Sequence, residues 1–134
     1  MKNLFFYLLI ISTLVSCNKN NEDVEVIAEV ATTTVDNYRL IEILADPGDG
    51  SGIFQNVESE KIISFYNDGT ITSNGELCFM GVESNSPSTG TYSIIDSTIS
   101  TSNCTNLNFE ISGNELIINY PCFEPCRAKF LKQS

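Results

Sequence analysis

Five cysteines, Cys17, Cys78, Cys104, Cys122 and Cys126, carry most of the chemistry open to this 134-residue chain, which has no histidine. Without an imidazole there is no Ser–His or Cys–His dyad to activate a nucleophile. Carboxylates are the remaining acid–base groups: Glu42, Asp46, Asp49, Glu58, Glu60 and Glu76. A carboxylate pair does such work when its environment drives the two pKa values apart. Among seventeen acids many are neighbours by chance and simply face water. No catalytic residue is assigned, and the chain is not expected to be an enzyme.

Metal chemistry fares no better. Asp46-Pro47-Gly48-Asp49-Gly50-Ser51-Gly52 sets two carboxylates among freed backbone carbonyls, the hard donors calcium takes. It lacks the alternating acids and closing glutamate of an EF-hand loop, so it reads as a flexible turn at the mouth of the folded domain. Four thiols suffice for zinc, but no pair has the C-x₂-C spacing of ribbons and knuckles. No metal ligand and no other cofactor is assigned.

Cys17 stands apart because of what precedes it. Lys2 is the only charge before Leu4-Phe5-Phe6-Tyr7-Leu8-Leu9-Ile10-Ile11, and the run closes as Leu14-Val15-Ser16-Cys17. A positive head, a brief apolar stretch and a small residue before a cut make a secretory signal peptide. The stretch is shorter than the ~20 apolar residues a bilayer-spanning helix needs. Leu14-Val15-Ser16-Cys17 resembles the lipobox of bacterial lipoproteins. The resemblance implies a diacylglycerol group on the Cys17 sulfur, cleavage before Cys17, and an acyl chain such as palmitate on the freed amine. Two or more chains anchor stably where one does not, so residues 1–16 are expected to be removed and Cys17 to hold the protein to a membrane. Asn18 follows Cys17, where an inner-membrane retention signal would resemble Asp, so the outer membrane is expected, on its periplasmic face or the cell surface. Residues 17–36, with Asn18-Lys19-Asn20-Asn21-Glu22-Asp23, have little to bury and are expected to be a flexible acidic tether.

Removing Met1–Ser16 takes away Lys2 and no acid, leaving 118 residues with six basic and seventeen acidic groups, a net charge of −11. That length suits one domain, expected over residues 37–134, and that charge excludes nucleic acid as a partner. Four cysteines in an oxidising compartment form two disulfides. Three pairings are open. The short Cys122-Phe123-Glu124-Pro125-Cys126 turn favours joining its own ends, which leaves Cys78 with Cys104.

The elements that must position these groups are short strands. Asn37–Ala45, Ile53–Val57, Lys61–Tyr66, Thr70–Ser73, Glu76–Met80, Gly90–Ile95, Thr98–Ser100, Leu107–Ile111, Leu116–Tyr120 and Ala128–Leu131 are β-favouring runs between turn formers. Asn67-Asp68-Gly69 and Ser112-Gly113-Asn114 are hairpin turns, because glycine accepts the positive φ a tight turn requires. No stretch holds a helical period. The expected fold is all-β: an antiparallel up-and-down barrel of about eight strands, closed on itself so that no edge is left, with a flattened barrel or sandwich as the alternative. Ile63, Phe65, Tyr92, Ile94, Phe109, Ile111, Leu116 and Ile118 are expected to point inward.

Phe65-x-x-Asp68-Gly69-Thr70, Gly90-Thr91-Tyr92-Ser93-Ile94 and Gly113-Asn114-x-Leu116-Ile117-Ile118 resemble the hairpins of lipocalin-like domains in bacterial lipoproteins. The Asp46–Gly52 and Tyr120–Cys126 segments are similar to those of one uncharacterised subgroup. No tryptophan stands near the first strand, where lipocalins carry one; Tyr38 takes its place. The resemblance implies a barrel binding a small hydrophobic ligand or a protein partner. Phe54, Phe65, Phe79, Tyr92, Phe109 and Tyr120 are the candidate pocket. The alternative is a structural or interaction module whose aromatics fill a dry core. Asp96-Ser97-Thr98 also resembles a bacterial O-glycosylation acceptor.

Overall fold

The computed structural model describes residues 32–134. Cys17, the signal segment 1–16 and residues 17–31 of the expected tether lie outside the described residues. Nine strands follow: β1 (Thr34–Ala45), β2 (Gln55–Asn56), β3 (Ile62–Tyr66), β4 (Thr70–Ser73), β5 (Ser88–Ser93), β6 (Thr98–Thr101), β7 (Leu107–Ser112), β8 (Glu115–Tyr120) and β9 (Cys126–Lys132). From β3 to β9 each strand pairs antiparallel with the next, and β9 returns to β1. The result is a closed eight-stranded up-and-down barrel, with β2 as an extra strand laid on β1.

Closure happens at two residues of β1. Tyr38 pairs with Ile63 on one side and Lys132 on the other, and Arg39 with Ile62 and Leu131. Register shifts between Thr34 and Asp36 and between Leu40 and Glu42 flank this point. Such bulges bend a strand and increase its twist, which lets one long strand serve β3 with its first half and β9 with its second.

Period-two alternation builds the core. Ile63 and Phe65 of β3, Ile71 of β4, Leu107 and Phe109 of β7, and Leu116 and Ile118 of β8 are all buried. Burying each such side chain stabilises the fold by about 1.5–3 kcal/mol. The interior is filled by rings: Phe65 meets Tyr38, Tyr92 and Phe109 at centroid distances of 5.7, 4.8 and 5.8 Å, tilted or edge to face. Gly69 holds φ +83° in the three-residue β3–β4 turn, the left-handed position that closes such a hairpin.

Five expectations are corrected. Ile94 is exposed because β5 ends at Ser93 and Ile94 belongs to the turn that follows. Ile111 is also exposed: it is one residue from the end of β7, at the rim. Within Ile53–Val57 only Gln55 and Asn56 pair. Glu76–Met80 is no strand at all; it lies in the β4–β5 loop, where Leu77 is fully buried and Met80 and Val82 pack against the core. The barrel also begins before residue 37. β1 starts at Thr34, and Thr33 exchanges hydrogen bonds with Asn67, N–H to Oδ1 and C=O from N–H.

Strand direction gives the barrel two unlike ends. One carries the short turns at 67–69, 94–97 and 113–114, together with the start of β1 and the end of β9. The other carries the long connections 46–61, 74–87, 102–106 and 121–125. We call them the hairpin end and the loop end.

Candidate functional site

The loop end is organised from the inside by Lys61. It stands just before β3 on the same inward row as Ile63 and Phe65, and only 1% of it is exposed. Its Nζ donates to the carbonyls of Glu76, Phe79 and Gly81 at 2.7, 3.0 and 3.1 Å. Three acceptors use all three protons of an ammonium group, so the charge is held without a carboxylate in contact. Burial pushes this ammonium down to about 8, and the charges of Glu76 and Glu83 pull it back up. Ser59 Oγ donates to Val82 O in the same loop, and Leu77 N–H donates to Ser88 Oγ. Gly75 is needed here, since a Cβ would come within 2.4 Å of Glu83 O. Together these bonds hold the β4–β5 loop as a plug.

Two disulfides complete this end. Cys78–Cys104 ties the plug to the β6–β7 loop, and Cys122–Cys126 closes the β8–β9 loop. The pairing is the one favoured by the short turn around Pro125.

Beside the plug lies an apolar cleft of about 240 Å³, lined by Cys78, Phe79, Met80, Tyr120, Pro121 and Cys122. Across the Cys78–Cys104 bridge a second cleft of about 200 Å³ is lined by amides and hydroxyls, among them Thr105, Asn106, Asn108 and Asn119. Tyr120 and Pro121 line both. Tyr120 is the last residue of β8, on the inward row of Leu116 and Ile118, and its hydroxyl is buried without a hydrogen-bond partner among the described residues. Burial raises its pKa far above that of a free phenol. An unpaired buried hydroxyl is costly, and this one is sealed beneath the cleft rather than presented to it.

Comparison with protein-family models, with curated proteins and with solved structures returns no match for this chain.

Of the six expected pocket residues, Phe65, Tyr92 and Phe109 do come together, as packing in the barrel interior. Tyr120 and Phe79 meet elsewhere, at the loop-end cleft. Phe79 is largely exposed there, as is Phe123 in the neighbouring loop. Phe54 sits apart, under the Lys129 ammonium at 4.5 Å from its ring centroid, while Lys129 also pairs with Glu42.

The acidic loop is self-contained. Asp46 accepts from the N–H groups of Gly48 and Gly50 through Oδ1 and of Gly52 through Oδ2. These bonds, led by those from Gly52 and Gly48, hold the carboxyl below the usual carboxylate range. Asp49 likewise accepts from Ser51. The loop's N–H groups, rather than its carbonyls, turn toward the acid, which suits a folded turn more than a calcium cage. Among the remaining candidate acids, Glu60 pairs with Arg39 and Glu76 accepts from Cys78 N–H.

Lys61 and Tyr120 were not legible as a pair in the sequence. The signal for each was parity: both extend an inward row by one step, Lys61 before Ile63 and Tyr120 after Ile118.

Proposed function

We propose that this chain is a lipid-anchored outer-membrane lipoprotein whose lipocalin-like barrel is a binding module with its site at the loop end, not in the interior. A single observation carries the reading: the rings that would line a lipocalin-type interior pocket are packed on one another, whereas an apolar cleft opens among the loops between Phe79 and Met80 of the plug and Pro121 and Cys122 of the β8–β9 loop. Small-molecule pockets usually begin near ~300 Å³. A cleft slightly below that size accepts one aromatic ring or a short acyl end, of a free hydrophobe or of a partner's side chain. The filled core favours the scaffold half of the alternative, an interaction module without an interior small-molecule site.

The lipobox resemblance at Cys17 supports the anchor. The polarity of the barrel supports the arrangement, because β1 begins at the hairpin end. A chain from Cys17 reaches the barrel there, which leaves the cleft facing away from the membrane.

The test is titration of the purified protein with N-phenyl-1-naphthylamine, a neutral apolar fluorophore. We expect saturable binding that weakens at least about fivefold, or ~1 kcal/mol, in Phe79→Ser and in Met80→Ser, with folding intact. Saturable binding unaffected by both substitutions, or no saturable binding, overturns the cleft as the site. For the anchor, Cys17→Ser should abolish lipid attachment and release the protein from membrane fractions; unchanged fractionation overturns it.

A further inference from the structure

Eight large hydrophobic side chains are exposed among the described residues, and four of them, Val35, Ile94, Ile95 and Ile111, belong to the hairpin end; Leu131, near the end of β9, lies instead in a groove with Arg39 and Val57–Ser59. All four are aliphatic. They come from β1, the β5–β6 turn and β7, so the barrel brings to one end what the sequence spreads over more than seventy residues. Scattered exposed hydrophobics need no explanation; aliphatics gathered at one end of a barrel do. The most prominent are adjacent. Ile94 and Ile95 open the four-residue β5–β6 turn, and Ile95 is 95% exposed. Turns are ordinarily polar, and the other two turns of this end are built of Asn67-Asp68-Gly69 and Gly113-Asn114.

The same end receives the chain from Cys17. Thr32 Oγ1 donates to Asp68 Oδ2, and Thr33 is bonded to Asn67, so the incoming segment is fastened to the β3–β4 turn. Fifteen residue steps separate Cys17 from Thr32, a span of at most about 50 Å when fully stretched. A bilayer holding Cys17 is thus within reach of this rim and cannot be far from it.

We infer that the hairpin end is a second membrane contact, with Ile94 and Ile95 seated in the interfacial layer of the bilayer that holds Cys17. The inference rests on the anchored reading above. Apolar side chains on an interfacial element reach about 5–10 Å into the headgroup and acyl boundary. Two isoleucines are too few to bind a free protein to lipid. Acting on a protein already tethered, they operate at high effective concentration and set its orientation. Charge does not drive the contact: Asp68, Asp96 and Glu115 are exposed at this end, and Lys132 is paired with Asp36. The favoured surface is therefore zwitterionic, since basic clusters are what anionic lipids select.

The chain has no tryptophan, so a single introduced indole reports its own surroundings. Ile95→Trp and, at the loop end, Phe123→Trp replace side chains that are almost wholly exposed, and thermal melting should show both folded. Each is examined in two forms: the protein extracted from its own membrane, and the Cys17–Ser134 chain coupled through its one free thiol to a maleimide lipid. Both are placed on phosphatidylethanolamine–phosphatidylcholine vesicles with acyl chains brominated near the headgroup. We expect blue-shifted emission, quenched severalfold by bromine, for Ile95→Trp and neither effect for Phe123→Trp. The contact should weaken on phosphatidylglycerol-rich vesicles and recover with salt. Equal behaviour of the two indoles, or an unquenched Ile95→Trp, overturns the inference. If the extracted protein carries no lipid while the chemically anchored one shows the expected contrast, the rim is a lipid-facing surface and only the native anchor at Cys17 falls.

Discussion

Lys61 Nζ donates to the carbonyl of Phe79 at 3.0 Å, so a residue at the base of the barrel core fixes the backbone of a residue on the wall of the surface cleft. With the bonds to Glu76 and Gly81, this makes the plug loop an extension of the core. Lys61→Met keeps an unbranched apolar stem and removes every donor. Three carbonyls then lose their partner, each a desolvation cost unless the loop opens to water. We expect a loss of about 2–4 kcal/mol in urea unfolding, with faster amide exchange in residues 74–83. Wild-type stability with unchanged exchange would mean the ammonium is dispensable.

The same lysine should leave a mark on the pH dependence. Its folded-state pKa is about 8, against 10.5 for the free side chain. Between those values the unfolded chain binds more protons, so stability rises with pH across that window. The rise is bounded by about 3 kcal/mol, and it is best read below pH 9.5. Above that, Tyr38 and Tyr120, whose pKa values are raised on folding, and Lys129 and Lys132, also raised, act in the opposite sense. Urea midpoints between pH 7.5 and 9.5 should climb in the wild type and stay flat in Lys61→Met. A wild-type midpoint that falls over this range contradicts the assignment.

How far the fold was legible follows from parity and from turns. Alternation in Ile63-Ser64-Phe65 and Leu116-Ile117-Ile118 gives strands and faces directly, and Asp68-Gly69 gives a hairpin, because both are local signals. Ile94 and Ile111 continue that alternation past the place where the barrel ends, and nothing local says where a rim lies. Glu76–Met80 has the composition of a strand, yet Lys61 captures its carbonyls and Cys78 ties it to Cys104. Those are long-range contacts that composition does not carry. The pocket fails as one group for the same reason: burial of Phe65 and exposure of Phe79 depend on which loop closes the mouth.

The two disulfides should differ in weight. Cys78 and Cys104 are 26 residues apart and Cys122 and Cys126 are 4 apart. Loop-closure entropy assigns about 3–4 kcal/mol to the longer bridge and about 2 kcal/mol to the shorter. Cys78→Ser with Cys104→Ser should therefore lower the denaturation midpoint more than Cys122→Ser with Cys126→Ser. The reverse order would show that the β8–β9 loop, not the plug, governs the mouth.

Phe65 and Phe79 give the sharpest contrast within one residue type. Phe65 is 3% exposed and packs against three rings, whereas Phe79 is 66% exposed. Phe65→Ala should cost about 3–5 kcal/mol, and Phe79→Ala less than about 0.5 kcal/mol, by chemical denaturation. A mild Phe65→Ala would mean the interior is loosely filled and reopens the barrel itself as a ligand site.

Tyr120→Phe separates structure from recognition at a single oxygen. The hydroxyl is buried without a partner, so deleting it removes a desolvation cost and no bond. Stability should hold or rise by about 1 kcal/mol, a direction opposite to that of most core substitutions. Tyr120 lines the cleft, but its oxygen is sealed from the surface, so N-phenyl-1-naphthylamine should bind Tyr120→Phe as tightly as it binds the wild type. Clear destabilisation by Tyr120→Phe would instead show that the hydroxyl has a structural partner.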